Sequence, residues 1–206
     1  MMRNNKSANT NSRSSMLHKN ILFSGVLKAI GLITSLVIVP ITINYLNDEV
    51  YGVWMTITSV LYWITTFDIG LGNGMRNYLT EALSKGDTAL GRSYLSTTLI
   101  LLSLIALTMG AALIYPLYSI NFNSFFNTYA VSGADLRLAV IIAVGFTLMN
   151  FVLKNIGFIF VALQRYALND LLAISGNVIS LIIIYLLTKV TSGSLVLVVL
   201  AYTLTS

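Results

Sequence analysis

The sequence predicts an all-α membrane protein, a polytopic bundle of about six transmembrane helices. Hydrophobic residues make up 56% of the chain and charged residues 9%, whereas an ordinary soluble domain carries about 25% charged residues. Apolar runs long enough to cross a bilayer, which takes about 20 residues in a helix, recur along the chain. These runs are continuous and do not alternate with polar residues, so they favour helices over a β-barrel.

Six apolar segments define the predicted domain organisation. They cover residues 21–46, 50–67, 95–117, 136–163, 171–187 and 195–206. The last segment is too short to cross, so we expect a truncated sixth span and a chain that is the front part of a longer protein. A sixth segment that faces solvent is the alternative. Residues 1–19 are basic and rich in Asn and Ser, which predicts a disordered cytoplasmic tail ahead of the transmembrane bundle of residues 20–206.

The distribution of basic residues predicts that the N-terminus lies inside the cell. Eight of the 12 Lys and Arg residues fall in the tail and in the second-to-third and fourth-to-fifth connections. Only Arg137 and Lys189 fall on the other side, and cytoplasmic loops are the ones enriched in basic residues. The net charge of +5 is therefore explained by membrane topology, and no nucleic-acid partner is expected.

A glycine-rich segment, FDIGLGNGMRNYLTEALSKGD, occupies residues 67–87. It is not a nucleotide-binding loop, because no Lys-Ser/Thr pair follows the glycines and the third glycine stands one place early for a dinucleotide motif. We expect the second span to end near Phe67, and Asp68 and the glycines to break the helix. Residues 75–83 then predict a short amphipathic helix on the cytoplasmic surface. Its apolar face consists of Met75, Tyr78, Leu79 and Ala82.

Three motifs lie within residues 45–87. They are Tyr51-Gly52-Val53-Trp54, Asp68-Ile69-Gly70-Leu71-Gly72 and Gly86-Asp87. This stretch resembles the matching region of bacterial polysaccharide transporters, the O-antigen and capsule repeat-unit flippases of the multidrug/oligosaccharidyl-lipid/polysaccharide exporter superfamily. One departure is Asn47, where the family often has Gly. Across the other spans the likeness is one of hydropathy alone.

The resemblance implies the first half of a two-bundle exporter fold and a multi-pass protein of the inner membrane. Such a flippase translocates undecaprenyl-diphosphate-linked oligosaccharide repeat units for O-antigen (lipopolysaccharide), capsule or exopolysaccharide assembly. The implied partners are the lipid-linked oligosaccharide, the lipid bilayer, a polysaccharide polymerase and the chain-length machinery. Neither enzymatic activity nor a cofactor is expected.

Two lysines inside predicted spans are the first candidates for substrate binding. A charged side chain in a span costs roughly 2.5–3.5 kcal/mol on insertion scales, so Lys28 and Lys154 should line a water-filled cavity or extend to the headgroups. An anionic diphosphate carrier requires cations in such a cavity. We therefore predict a cationic site formed by Lys28, Lys154 and Asn150, which lies one turn before Lys154. Extension of both lysines to the membrane surface is the alternative.

Asp68 and Arg76 are candidates for a gate at the cytoplasmic rim, where they could pair or receive the headgroup. The alternative is that Asp68 marks a helix end and Arg76 is a solvated charge.

Three other functions remain open. A cation-coupled multidrug exporter of the same superfamily needs an acid buried within a span, and the predicted spans contain no Asp or Glu. A membrane enzyme is disfavoured, because the sequence shows no acid cluster, no His pair and no metal-ligand spacing. The third is an inactive, truncated half-transporter.

Overall fold

The computed structural model describes the backbone of residues 4–66 and 70–205, and the side chains of residues 23–66 and 70–205. All regular elements in these residues are α-helices. They are α1 (Asn4–Leu46), α2 (Asp48–Thr66), α3 (Leu71–Ser84), α4 (Thr88–Ser119), α5 (Phe122–Phe126), α6 (Gly133–Leu153), α7 (Asn155–Ala162), α8 (Tyr166–Val190) and α9 (Leu195–Thr205).

Four helical stretches in the described residues are long and apolar enough to cross a bilayer. They are Phe23–Leu46 of α1, α4, the pair α6–α7 and α8. A fifth crossing results if α2 and α3, which are bent by 44° at their break, count as one span. Helix α9 is apolar but has 11 residues. The predicted polytopic helix bundle is confirmed, with four or five full spans in the described residues where the sequence predicts about six.

The helices extend beyond the predicted apolar segments. Helix α4 begins at Thr88 and not near residue 95, and α8 runs from Tyr166 to Val190 and not from 171 to 187. Hydropathy detects only the part of a helix that lies in hydrocarbon, whereas backbone hydrogen bonding continues into the polar interface. Helix α1 begins at Asn4, within the segment for which the sequence predicts a tail. The disorder of that tail stays a prediction.

Helix α9 lies at the centre of the bundle. It packs against α6, α8 and α2, and residues on several of its sides are buried. The buried residues are Leu195, Val198, Val199, Ala201 and Thr203. Neighbouring helices therefore contact α9 on several sides.

The longer helices pack as neighbours around this centre. Helix α1 lies along α8, and α4 lies along α6. Gly31 faces Ile174, and the Tyr45 hydroxyl lies 2.7 Å from the Thr191 hydroxyl, so α1 and α8 run parallel. A parallel arrangement is expected if the chain crosses the membrane in alternating directions between the end of α1 and the start of α8.

The turn between α1 and α2 depends on Asn47. Its φ angle is +72°, a left-handed conformation that Asn adopts more readily than other residues with a side chain. Its Oδ1 accepts a hydrogen bond from the Val50 amide at 3.0 Å, so the same residue ends α1 and caps α2. Asn47 therefore forms this turn without a Gly.

Three connections meet at one end of the bundle, which the basic-residue pattern assigns to the outside and which we call the outer end. The Thr128 hydroxyl, in the α5–α6 connection, donates a hydrogen bond to the Glu49 carboxylate at the start of α2. Gly193, in the α8–α9 connection, lies against the carbonyl of Tyr45, so that a side chain at this position would overlap it. These contacts hold the outer ends of α1, α2, α6 and α8 together.

The charge pattern makes the orientation testable with two single-cysteine variants, because the natural chain has no Cys. Tyr129 at the outer end is 90% exposed, and the Lys85 side chain at the other end is 66% exposed. We expect a membrane-impermeant maleimide to label Tyr129→Cys in right-side-out vesicles and Lys85→Cys in inverted ones. The reverse pattern would invert the topology, and labelling of both from one side would contradict the bundle's crossing of the membrane.

Candidate substrate-binding site at the inner end

The end of the bundle opposite the outer end, here called the inner end, is built around α3. This helix packs against α4 and α7 through the buried residues Gly72, Met75, Leu79 and Ala82. Three of these belong to the apolar face predicted from the sequence. Tyr78 lies at the edge of that face, where it is 56% exposed and its ring centroid lies 5.3 Å from that of Tyr94. An amphipathic helix of this kind fits the boundary between lipid and water.

The Gly86-Asp87 pair, one of the motifs of the resemblance, joins α3 to α4. Gly86 has a φ angle of +76°, and the amide of Asp87 donates a hydrogen bond to the Ala82 carbonyl at 3.0 Å. These are the marks of a Schellman motif, which satisfies the last carbonyls of a helix. The Asp87 side chain then accepts from the Leu90 amide at 2.9 Å and caps α4. Two residues thus end one helix and start the next.

Glycines at the start of α3 serve the backbone geometry and not a phosphate loop. Gly70 has a φ angle of +79°, which permits the turn into α3. A Cβ at Gly72 would overlap the ring of Phe158 and lie 2.5 Å from Oδ1 of Asn155. The absence of a side chain at Gly72 therefore lets α3 approach α7 closely, and this contact sets the position of the inner end.

The fourth predicted span is broken at Lys154, between α6 and α7. The neighbouring Asn155 is fully buried, and its amide nitrogen donates to the carbonyls of Phe151 at 3.1 Å and Val152 at 3.3 Å. Its Oδ1, which faces Gly72, has no hydrogen-bond donor among the described residues. Sequence reasoning missed Asn155, although a polar residue beside Lys154 in an otherwise apolar run was the available signal.

Lys154 contacts the end of α2. Its ammonium donates a hydrogen bond to the Thr65 carbonyl at 3.0 Å and lies 5.3 Å from the centroid of the Phe151 ring. The last carbonyls of a helix have no partner within the helix and carry a partial negative charge. Lys154 therefore caps α2 from a neighbouring helix. Its side chain is exposed and lies level with the inner end of α2.

The three predicted substrate-binding residues have different environments. Asn150 is half-buried, and its amide nitrogen donates to the Thr203 carbonyl of α9 at 3.2 Å. Asn150 and Lys154 thus lie one turn apart, and each contacts a different helix. Lys28 lies on an exposed face of α1, a helix whose main neighbours are α8 and α2. The structure brings Asn150 and Lys154 close together, and it places Lys28 on another element.

Of the two predicted gate residues, Arg76 lies within the described part of the chain. Arg76 is half-buried on α3, with its guanidinium nitrogens 3.4 Å from Oδ1 of the adjacent Asn77. Asp68 lies outside the described residues. Within the residues that the structure describes, no group of three or more His, Cys, Asp or Glu residues could hold a metal ion.

Comparison with known proteins finds a similarity over part of the chain. The chain is 33% identical over 73 residues to a protein of Salmonella typhimurium (strain LT2) described as a "Putative O-antigen transporter". The matched stretch is 35% of this chain and spans only 16% of the relative's length. No protein-family model matches the chain, and no solved structure matches it. Together with the apolar helix bundle, this similarity indicates a multi-pass membrane protein of the transporter type.

The close contact between α3 and α7 predicts a difference between two glycines of the same helix. We expect Gly72→Ala to destabilise the protein by about 1–3 kcal/mol, because its Cβ would overpack against Phe158 and Asn155. Gly74→Ala is the matched control, since no atom lies within 4 Å of its added Cβ and Ala is favoured in a helix by about 1 kcal/mol. Unfolding in detergent micelles measures both, and equal stability of the two variants would contradict the close contact.

The contact of Lys154 with Thr65 predicts that Lys154→Met loosens the end of α2. A cation at a helix C-terminus contributes about 0.3–1 kcal/mol, so amides in the last two turns of α2 should exchange roughly twofold to fivefold faster. Hydrogen exchange followed by mass spectrometry measures this. Lys85→Met is the control, because Lys85 pairs with Glu81 on the exposed surface of α3. Unchanged exchange in α2 would show that the contact does not stabilise the helix end.

Proposed function

We propose that this chain is part of a flippase that moves undecaprenyl-diphosphate-linked oligosaccharide repeat units across the inner membrane, for O-antigen, capsule or exopolysaccharide assembly. The observation that carries the proposal is the similarity over 73 residues to a protein described as an O-antigen transporter. The motifs of residues 45–87 support it, because they resemble the matching region of bacterial polysaccharide transporters. The polymerase and the chain-length machinery are the further partners of this proposal.

Lys154 supports the proposal by its chemistry and its place. Among the described carboxylates none forms an ion pair with it, and its hydrogen bond goes to a neutral carbonyl. A phosphate oxygen forms shorter and stronger bonds with an ammonium group than a carbonyl does. In this proposal the diphosphate replaces the Thr65 carbonyl as the partner of Lys154. The ammonium therefore receives the headgroup at the inner end, where the carrier lipid would enter.

The remaining candidates take roles around this first contact. Arg76 is a second cation at the inner end, and in the proposal Asp68 is its partner at the rim. Asn150 lies one turn further into the membrane than Lys154 and offers a carboxamide to a sugar or phosphate. Lys28 is a third cation, on α1. In this proposal the headgroup meets Lys154 and Arg76 first, at the inner end, and the uncharged Asn150 lies deeper in the bundle.

A cation-coupled exporter receives less support from the described helices. Asp170 lies inside α8, which begins earlier than the sequence predicts. It is in the second turn, at the inner end, and not midway through the span where a coupling carboxylate would be expected.

The proposal predicts that the charge of Lys154 is needed for flipping. We expect Lys154→Met to lower the surface polysaccharide restored in a flippase-deficient strain by at least about tenfold, since one charged hydrogen bond contributes about 1.5–3 kcal/mol. Lys154→Arg should retain most of the activity, because it keeps both the charge and the contact with Thr65. The natural gene that contains this chain is expressed for the test, with membrane levels of each variant equalised.

Lys85→Met is the matched control for this experiment, since it removes an inner cation that lies outside the proposed path. It should restore polysaccharide to within about twofold of the unmodified protein, as expected for a surface ion pair of small energy. Full restoration by Lys154→Met would reject Lys154 as the headgroup contact. Failure of the unmodified gene to restore any polysaccharide would reject the proposed function.

A further inference from the structure

A polar cleft of about 400 Å³ lies at the outer end, between the end of α4, the short helix α5 and the start of α6. Among the residues that line it are Asn121, Gly133, Ala134 and Arg137. The cleft shares no residue with the site proposed for the diphosphate.

The outer cleft and the inner site lie at opposite ends of α6, because this helix runs from Gly133 at the outer end to Leu153 at the inner end. Any ligand of the cleft therefore lies at the opposite membrane surface from Lys154.

Arg137 supplies the cation of this cleft, and no described residue forms an ion pair or a hydrogen bond with its guanidinium. Its Nε is shielded from solvent and has no hydrogen-bond acceptor among the described residues. None of the described carboxylates forms an ion pair with it. The nearby Asp135 carboxylate instead accepts a hydrogen bond from the Ser132 hydroxyl at 2.8 Å. A shielded N–H group without an acceptor is costly, so an acceptor from outside the described chain would stabilise this arrangement.

The rest of the cleft adds several hydrogen-bond donors to that cation and one acceptor, Oδ1 of Asn123, which lies beside Gly133. Gly133 and Ala134 belong to the first turn of α6, where backbone N–H groups have no acceptor within the helix and carry a partial positive charge. The Oδ1 of Asn121 accepts from the Ser124 amide at 3.3 Å, which leaves its amide nitrogen as a further donor at the cleft. Donors and one guanidinium on a concave surface are typical of a site for an oxyanion.

An apolar pocket of about 160 Å³ adjoins the polar cleft. The two share Ile120 and Phe122, and the pocket continues between α2, α4 and α6. Val140 and Val144 line it, and they follow Arg137 by one and two turns on the same helix. A polar, cationic cleft at the membrane surface thus leads into an apolar pocket in the membrane. This arrangement matches a lipid, with a charged headgroup and a hydrocarbon chain.

We propose that the cleft and the pocket together bind one anionic phospholipid of the outer leaflet. Its phosphodiester lies against Arg137 and the first turn of α6, and one acyl chain enters the pocket beside Val140 and Val144. The charge decides the class of lipid. An anionic phospholipid carries one net negative charge, which the unpaired guanidinium balances. A zwitterionic phospholipid would add a headgroup cation beside that guanidinium, and a diphosphate carrier would bring more negative charge than this cleft can balance. The proposal does not depend on the proposed function.

The experiment measures lipid binding to the purified 206-residue chain by native mass spectrometry, with phosphatidylglycerol and the zwitterionic phosphatidylcholine as probes. We expect phosphatidylglycerol to bind about tenfold more tightly, because its headgroup carries no cation to repel the guanidinium of Arg137. Arg137→Gln should abolish this preference, and Arg137→Lys should keep part of it. Lys189→Gln is the matched control, because Lys189 is an outer-end cation whose ammonium lies over the Tyr185 ring and not in the cleft.

A second variant tests the apolar part and does not alter the charge. Val140→Phe narrows the pocket, and we expect it to weaken phosphatidylglycerol binding at least about tenfold, while circular dichroism shows that the variant keeps the helix content of the unmodified chain. Equal binding of the two lipids by the unmodified chain, or a preference that survives Arg137→Gln, would overturn the proposal. So would displacement of phosphatidylglycerol by undecaprenyl diphosphate at a lower concentration, since the site would then belong to a diphosphate carrier.

Discussion

The packing of α9 among α2, α6 and α8 is the constraint on which the rest of the bundle depends. In a membrane, lipid tails are as apolar as the side chains, so helices associate through close packing and hydrogen bonds. Helix α9 supplies both. Its Val198 and Val199 are fully buried, and its backbone carbonyls accept hydrogen bonds from Asn150 of α6 and Ser180 of α8. The separation of α6 from α8 follows from the helix between them.

The two ends of the bundle are stabilised by different means. At the outer end, side-chain hydrogen bonds such as that of Thr128 with Glu49 tie the connections together. At the inner end, Gly72 permits a close approach of α3 to α7, and Lys154 holds the end of α2. The contacts of the inner end centre on the break between α2 and α3 and on the bend at Lys154. These are places where helices are interrupted, as is common where membrane proteins form polar sites.

The cations proposed to bind ligands at the two membrane surfaces have different roles. Lys154 is both a cap for α2 and the proposed contact for a diphosphate, and the two roles are compatible because a phosphate oxygen can replace a carbonyl as hydrogen-bond acceptor. Arg137 is unpaired among the described residues and adjoins an apolar pocket, which favours a lipid that stays in place. The inner cation would exchange its partner during transport, whereas the outer one would keep it.

By itself the sequence determined the fold class, the approximate positions of the apolar helices and the amphipathic character of residues 75–83, because these depend on local composition and periodicity. It also predicted the end of that helix at residue 83, one residue before the end of α3 at Ser84, since helix-stop signals are local. The N-terminus inside remains a prediction of the charge pattern. Hydropathy identified residues 21–46 as a span. It did not indicate that this span would pack along α8.

Only the tertiary structure decided which polar residues meet. The sequence grouped Lys28 with Lys154, but α1 packs along α8 whereas Lys154 reaches α2. It could not show that Asn155 is buried against Gly72, two residues that are far apart in the chain. Burial depth and hydrogen-bond partners depend on which helices become neighbours, and that choice follows from side-chain packing over the whole bundle, which no local pattern contains.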